Sequence, residues 1–206
     1  MSTTTFLLIR HAAHLLAGDT IAGRSAGVYL SPLGHEQARA MANRVATLPV
    51  RAIYCSPIDR ARETAAPLSE RLQLPVQTSD ALSELDFGEW TRKTLDELRT
   101  QPLWQHWNAF RSGTRIPGGE SMLDLQSRIV GEMLRLRNHH PDQCVALVTH
   151  GDVIKAAVAY WLGVALDLFR RIEIGLASVS VVAVGDRGPW VLCVNNTGEI
   201  QMPYSH

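Results

Sequence analysis

Val145-Ala146-Leu147-Val148-Thr149-His150-Gly151 decides how this chain is read, together with its counterpart near the N-terminus, Phe6-Leu7-Leu8-Ile9-Arg10-His11. Each is a short unbroken apolar run that ends in polar residues, the pattern of a strand buried on both faces and its tip. In open α/β sheets ligands bind outside the carboxyl ends of such strands. Two histidines at two strand tips, one preceded by an arginine, are parts of a site that holds an anion and does chemistry on it.

Outward from these strands, strand-like and helix-like runs alternate, which predicts a layered α/β fold. The first strand is read at Thr5 to Ile9. Ser31-Pro32 reads as an N-cap with proline at the first helical position, and Ala38, Met41, Ala42, Val45 and Leu48 follow at helical spacing. Arg51 to Cys55 reads as a second strand. Ser56-Pro57-Ile58-Asp59 repeats the start signal, and Ile58, Ala61, Ala65, Leu68 and Leu72 give the next helix its stripe. From about Ala81 to Gly119 the chain is irregular and carries Trp90, Trp104, Trp107 and Phe110, so a covering segment of short helices is expected there. Ser121 opens a long helix, Cys144 to Val148 is a third buried strand, and Asp152 to Leu162 is a helix starting just past His150. Ser178 to Val184 and Trp190 to Val194 flank a Gly-Asp-Arg-Gly-Pro turn and predict an antiparallel hairpin at one sheet edge. The expectation is one α/β domain over residues 1–206, a three-layer sandwich with a central, mostly parallel sheet and helices on both faces.

The 206 residues are ample for one core, with 46% hydrophobic and 19% charged residues. Twenty basic residues balance twenty acidic ones, so no global field favours nucleic acid or an anionic membrane, and any anion binding must be local. Cys55, Cys144 and Cys193 are scattered, odd in number and without CxxC spacing, which fits reduced thiols in the cytoplasm. The first apolar run, Phe6 to Ile9, is too short for an export signal or a membrane span. The terminal hairpin leaves a free edge that a second copy of the chain could cover, giving a homodimer.

Arg10, His11, Arg60 and His150 all stand at strand tips or in the first turn of a helix. Arg60 is the oddest of them. A cation in a first helical turn opposes the macrodipole, and the apolar stripe lies on the other side, so a bound anion explains it better than packing does. The forked guanidinium suits phosphate oxygens. A histidine at a strand end can simply hydrogen-bond a carbonyl; a second one in the matching place shifts the weight to function. Neither HxxxH nor HxH surrounds His11 or His150, and arginine neighbours repel a cation, so no metal is expected.

In five motifs, in order, the chain resembles the histidine phosphatase, or phosphoglycerate mutase-like, superfamily. They are Leu8-Ile9-Arg10-His11, Ser56-Pro57-Ile58-Asp59-Arg60-Ala61-Arg62-Glu63-Thr64-Ala65, Leu82 to Trp90, Pro117-Gly118-Gly119-Glu120-Ser121, and Val148-Thr149-His150-Gly151. A closer likeness, to the branch of broad phosphatases and phosphomutases, runs through Ala22-Gly23-Arg24 and Gly27-Val28-Tyr29-Leu30-Ser31. The resemblance implies metal-independent hydrolysis of a small phosphorylated metabolite, without cofactor, through a phosphohistidine on His11. Arg10, Arg60 and His150 would clamp the phosphoryl group, and Glu84 would be the proton donor. The departures are Ala12-Ala13-His14 where Gly-Glu-Thr is usual, no match for the asparagine about six residues beyond the histidine, and no glycine two residues after Trp90. Rival readings are a phosphoglycerate mutase-type phosphomutase, and a regulator that dephosphorylates or binds a phosphoprotein. Substrate choice is expected from Arg24 and from the covering segment, with at least one of Trp104, Trp107 and Phe110 lining the entrance.

Overall fold

A computed structural model describes residues 2–16 and 18–200 of the chain. Six strands form one sheet: β1 (Thr3–Arg10), β2 (Val50–Cys55), β3 (Val76–Thr78), β4 (Cys144–Thr149), β5 (Val179–Gly185) and β6 (Gly188–Asn196), in spatial order β3-β2-β4-β1-β5-β6. The first four in that order are parallel, and β5 and β6 run antiparallel at one edge. The helices are α1 (Pro32–Val45), α2 (Asp59–Leu72), α3 (Leu95–Arg99), α4 (Pro102–Ala109), α5 (Met122–His139) and α6 (Gly151–Leu162).

The period-2 geometry of β1 divides the core. Phe6 and Leu8 face the side covered by α5 and α6, where Ile129, Met133, Ile154 and Val158 lie. Leu7 and Ile9 face the side covered by α1 and α2, where Ala38, Met41, Ala65 and Leu68 lie. All four strand residues are fully buried, each worth about 1.5–3 kcal/mol relative to exposure. The chain leaves β1 through α1 toward β2 and leaves β4 through α6 toward β5, in opposite directions along the sheet. Neighbouring β1 and β4 are therefore the switch point, where a crevice opens at the strand tips.

Two local readings need correction. Ser56 caps no helix: α2 begins at Asp59 after Ile58, with no side-chain cap, and the Ser56 hydroxyl is used elsewhere. Strand β3 was not expected, because Val76-Gln77-Thr78 is a three-residue edge strand, too short to show a period. By contrast Ser31 caps α1, accepting from the Gly34 N–H at 3.1 Å, and Ser121 with Asp124 forms a full capping box on α5.

Between α2 and α5 the chain runs over one face of the sheet. Gly88 takes φ +44°, and a Cβ there would fall 2.2 Å from the Pro117 carbonyl oxygen. Only glycine lets this backbone press so closely on Pro117 to Gly119, and that contact fixes the loop carrying Glu84. Trp90, Trp104 and Trp107 pack with ring centroids 5.1–5.4 Å apart. Edge strand β6 presents Trp190, Leu192 and Val194 outward, all exposed.

Candidate active site

The register of β1 on β4 brings the two histidines together. Arg10 lies opposite Thr149, so His11 and His150 each follow one step beyond the paired strands. The His11 N–H donates to the Thr149 carbonyl at 2.9 Å, and the ring centroids lie 5.1 Å apart. Strand β2 ends beside them: the Ser56 N–H donates to the Val148 carbonyl, and the next turn begins α2 with Arg60.

Hydrogen bonds fix both imidazoles. His11 Nδ1 lies 2.8 Å from the Ala12 carbonyl oxygen, which can only accept, so Nδ1 carries the proton and Nε2 keeps its lone pair. Arg60 Nε donates to that Nε2 at 3.3 Å. Arg60 Nη2 donates to the Gly23 carbonyl at 2.8 Å and to His150 Nδ1 at 3.2 Å. A guanidinium has no acceptor, so His150 is protonated on Nε2, which donates to Ser56 Oγ at 2.8 Å. Burial, with the charges of Arg60 and Arg10, holds both histidines well below the ordinary imidazole range. His150 is thus neutral by itself, and a phosphoryl dianion beside it acts in the opposite direction.

Arg10 Nη1 donates to the Ile174 carbonyl at 2.5 Å, whereas its buried Nε has no partner among the described residues. Arg60 is itself buried, and its Nη1 is likewise unpartnered. Unsatisfied charged donors are costly, and both of these side chains line the cavity that holds His11. Helix α6 starts at Gly151 on the same cavity, adding its unpaired amide N–H groups and positive dipole end.

Glu84 reaches this cavity from the covering segment. Its Oε1 accepts from the Leu85 N–H at 2.8 Å, and its Oε2 lies 3.9 Å from His150 Nδ1. Burial raises its carboxyl to about 7, with the Asp152 carboxylate adding to the shift against the pull of Arg60. The Glu84 carbonyl is gripped by Arg24 Nε at 2.8 Å and by Arg128 Nη2 at 3.1 Å, and both arginines pair with Glu120. Arg24 is therefore a strut under Glu84 and does not line the cavity, contrary to the expectation that it touches substrate.

The tryptophan-rich segment also departs from expectation. The cavity, about 440 Å³, has none of Trp104, Trp107 or Phe110 in its wall. Trp107 is buried beneath the guanidinium of Arg111, which lies 3.7 Å from its ring centroid; Trp104 is half-buried against Trp90 and Trp107; Phe110 is exposed. Apolar area drives the indoles into the core under the segment. The wall comes instead from the loop between β1 and α1, including His14, Leu16, Thr20 and Ile21, with Phe87, Asp152 and Leu176. That loop, about twenty residues following a strand tip, carried the signal: a long connection in a compact fold is usually functional. His14, which had no meaningful spacing, stacks against His11 with centroids 5.5 Å apart. Ser56, read as a cap, orients His150.

Comparison with known proteins gives the same picture. The profile of the histidine phosphatase superfamily, branch 1, matches residues 6–197. Phosphoserine phosphatase 1 of Hydrogenobacter thermophilus is 29% identical, over 93% of this chain and 92% of that protein. A Proteus mirabilis protein named "Probable phosphoglycerate mutase GpmB" is 30% identical, over 89% of this chain and 86% of its own length. Among solved structures, mycobacterial glucosyl-3-phosphoglycerate phosphatase in complex with VO3 is 25% identical with a TM-score of 0.83, covering 94% of this chain and 99% of that one. An Escherichia coli protein named "putative alpha-ribazole-5'-P phosphatase" shares the fold at a TM-score of 0.85 and 20% identity, over 97% of this chain and 99% of that one. The chain belongs to the histidine phosphatase superfamily, and within it is a phosphomonoester hydrolase.

Proposed function

We propose that this phosphatase hydrolyses small phosphomonoesters through a phosphohistidine on His11, without a metal. The observation that carries the reading is the pair of unpartnered buried donors, Arg10 Nε and Arg60 Nη1, in the cavity of a histidine whose Nδ1 is tied to a carbonyl and whose Nε2 keeps its lone pair. Nε2 attacks phosphorus, the N–P bond forms and the P–O bond to the leaving group breaks. Glu84, protonated near neutral pH, gives its proton to the departing alkoxide. Nδ1 keeps its proton, and the Ala12 carbonyl supports the positive charge on the phosphorylated ring. The guanidiniums hold the equatorial oxygens, where transition-state charge is spread. In the second half-reaction the Glu84 carboxylate takes a proton from water, the water oxygen bonds phosphorus, the N–P bond breaks and phosphate leaves.

Alkali-stable, acid-labile label on the protein after rapid quench with a labelled substrate, lost in His11→Ala, is the expected result. Activity should survive exhaustive chelation. Label on another residue type, or activity lost on chelation and restored by zinc or magnesium, overturns the reading. The free thiols, Cys55 and Cys144 buried and Cys193 half-buried, support a cytoplasmic setting. The exposed Trp190, Leu192 and Val194 on edge strand β6 support a homodimer, tested by the mass of the protein in solution.

A further inference from the structure

The phosphate clamp leaves a second question: what kind of alcohol the cavity takes on the leaving-group side. Charge on its wall answers in part. Arg10 and Arg60 are the only lysine or arginine residues lining the cavity, and both face the phosphoryl position. Their two positive charges are matched by one phosphoryl dianion. Beyond them, among the described residues, the wall is apolar at Leu16, Ile21, Phe87 and Leu176, and its carboxyl groups are Glu84, raised to about 7, and Asp152. Burial and the clamp arginines depress His14 below its usual range, so it supplies no cation at neutral pH. Other cations near the rim lie outside the wall. Arg24 grips the Glu84 carbonyl and Glu120, Arg92 donates to the Ala26 carbonyl at 3.3 Å, and Arg111 is stacked on Trp107 and Phe169 with Nη2 on Asn108. The positions outside the described residues, Met1, Ala17 and 201–206, hold no lysine or arginine.

Asp152 is the second residue of α6 and half-buried, and among the described residues it makes no ion pair and no side-chain hydrogen bond. A carboxylate in the first turn favours the helix, but that role needs no place in the cavity wall. We propose that Asp152 selects the leaving group: the substrate is a phosphomonoester of an alcohol bearing no carboxylate or second phosphate, either neutral or carrying an ammonium or hydroxyl donor toward Asp152. This rests on the phosphatase reading above and deepens it. A second anion would meet Asp152 and the bound phosphoryl group with no lysine or arginine beyond the clamp in the described wall; Arg111, whose charge acts on Asp152, lies outside that wall, stacked on Trp107 and Phe169, and like charges in a part-buried site are unfavourable. The inference separates this chain from relatives whose names specify phosphoserine or phosphoglycerate, both carboxylates.

Two matched pairs test it: phosphoserine against phosphoethanolamine, and 3-phosphoglycerate against glycerol 3-phosphate. Each is titrated by calorimetry into the full-length His11→Ala protein at pH 7, where turnover cannot intervene. The carboxylate member of each pair should bind at least about tenfold more weakly. Asp152→Asn in the same background should shrink that ratio to about threefold or less, and Asp152→Ser, which also suits a helix start, should do the same. Equal or tighter binding of the carboxylate members overturns the inference, as does an unchanged ratio in both Asp152 variants. Turnover of p-nitrophenyl phosphate by the wild-type protein is followed separately. If it is absent while the binding ratios hold, the phosphatase reading falls and the charge selection stands; if it is present and the ratios fail, the reverse is true.

Discussion

His11 Nδ1 and the carbonyl oxygen of its own neighbour Ala12 lie 2.8 Å apart, and this contact leaves Nε2 as the nucleophile. Burial and Arg60 hold the same ring well below the ordinary imidazole range. Glu84, across the cavity, is pushed up to about 7. The nucleophile is thus deprotonated and the acid protonated in one pH window, a separation typical of acid–base pairs in active sites.

With an alkyl phosphate, kcat/KM should therefore fall as pH rises through about 7, because Glu84 loses the proton the leaving group needs. With an activated aryl phosphate the fall should be absent or much smaller. His11 should impose no loss between pH 7 and 6.5, since its folded value lies below the ordinary one. Profiles measured in parallel on the two substrates check this; coincident alkaline limbs would remove Glu84 from the acid role.

Glu84 should also cost stability, with a definite sign. Its carboxyl is raised from 4.5 to about 7 on folding, so between those values the unfolded chain releases a proton that the folded one keeps. Unfolding is thereby favoured progressively as pH rises from 4.5 to 7, by up to about 3 kcal/mol. Glu84→Gln retains an acceptor for the Leu85 N–H and cannot ionise. Its melting temperature should exceed wild type by about 6–12 °C at pH 8 and differ little near pH 4.5. A gain independent of pH contradicts the assignment.

Ser56 offers a different kind of test. Its hydroxyl accepts from the His150 Nε2–H at 2.8 Å and so fixes the ring with Nδ1 against Arg60 Nη2, where a phosphoryl dianion can favour its protonation and accept from the resulting N–H. Ser56→Ala removes the acceptor that anchors the Nε2–H and leaves that buried donor unpaired, and kcat/KM should drop about tenfold. The loss should be equal for alkyl and aryl phosphates, because His150 serves the phosphoryl group and not the leaving group. A loss confined to alkyl substrates would place Ser56 with Glu84 instead.

What the sequence disclosed follows from how local each signal is. The tips of β1 and β4 were legible because a doubly buried strand must be apolar throughout and can become polar only where it ends. Arg60 was legible because it opposes both the helix dipole and the apolar stripe. Ser56 was misread because a serine before a helix looks the same whether its hydroxyl caps the backbone or reaches a histidine 94 positions away. The cavity wall was misplaced for a related reason. Large aromatics in an irregular segment suggest a binding surface, yet here their area is buried beneath it, while the wall is built from small and aliphatic residues of the β1–α1 loop. Spacing within a loop does not reveal which way its side chains turn.

That misplacement yields the last prediction. Trp107 is buried, forms edge contacts with Phe87 and Trp90, and lies under Arg111, so Trp107→Ala should destabilise the fold by about 3–5 kcal/mol. Phe110 is exposed and outside the cavity, so Phe110→Ala should change neither stability nor the order of substrates by more than experimental error. Leu16 is half-buried and contributes to the cavity wall, so Leu16→Ala removes contact area beside the leaving group with little effect on the core. Specificity is a difference in transition-state binding, and one lost aliphatic contact alters it by about 1–3 kcal/mol. Leu16→Ala should therefore reorder kcat/KM across a panel of neutral phosphomonoesters that differ in bulk, while p-nitrophenyl phosphate turnover stays within a few-fold. If Phe110→Ala reorders the panel and Leu16→Ala does not, the covering segment, and not the β1–α1 loop, meets the substrate in solution.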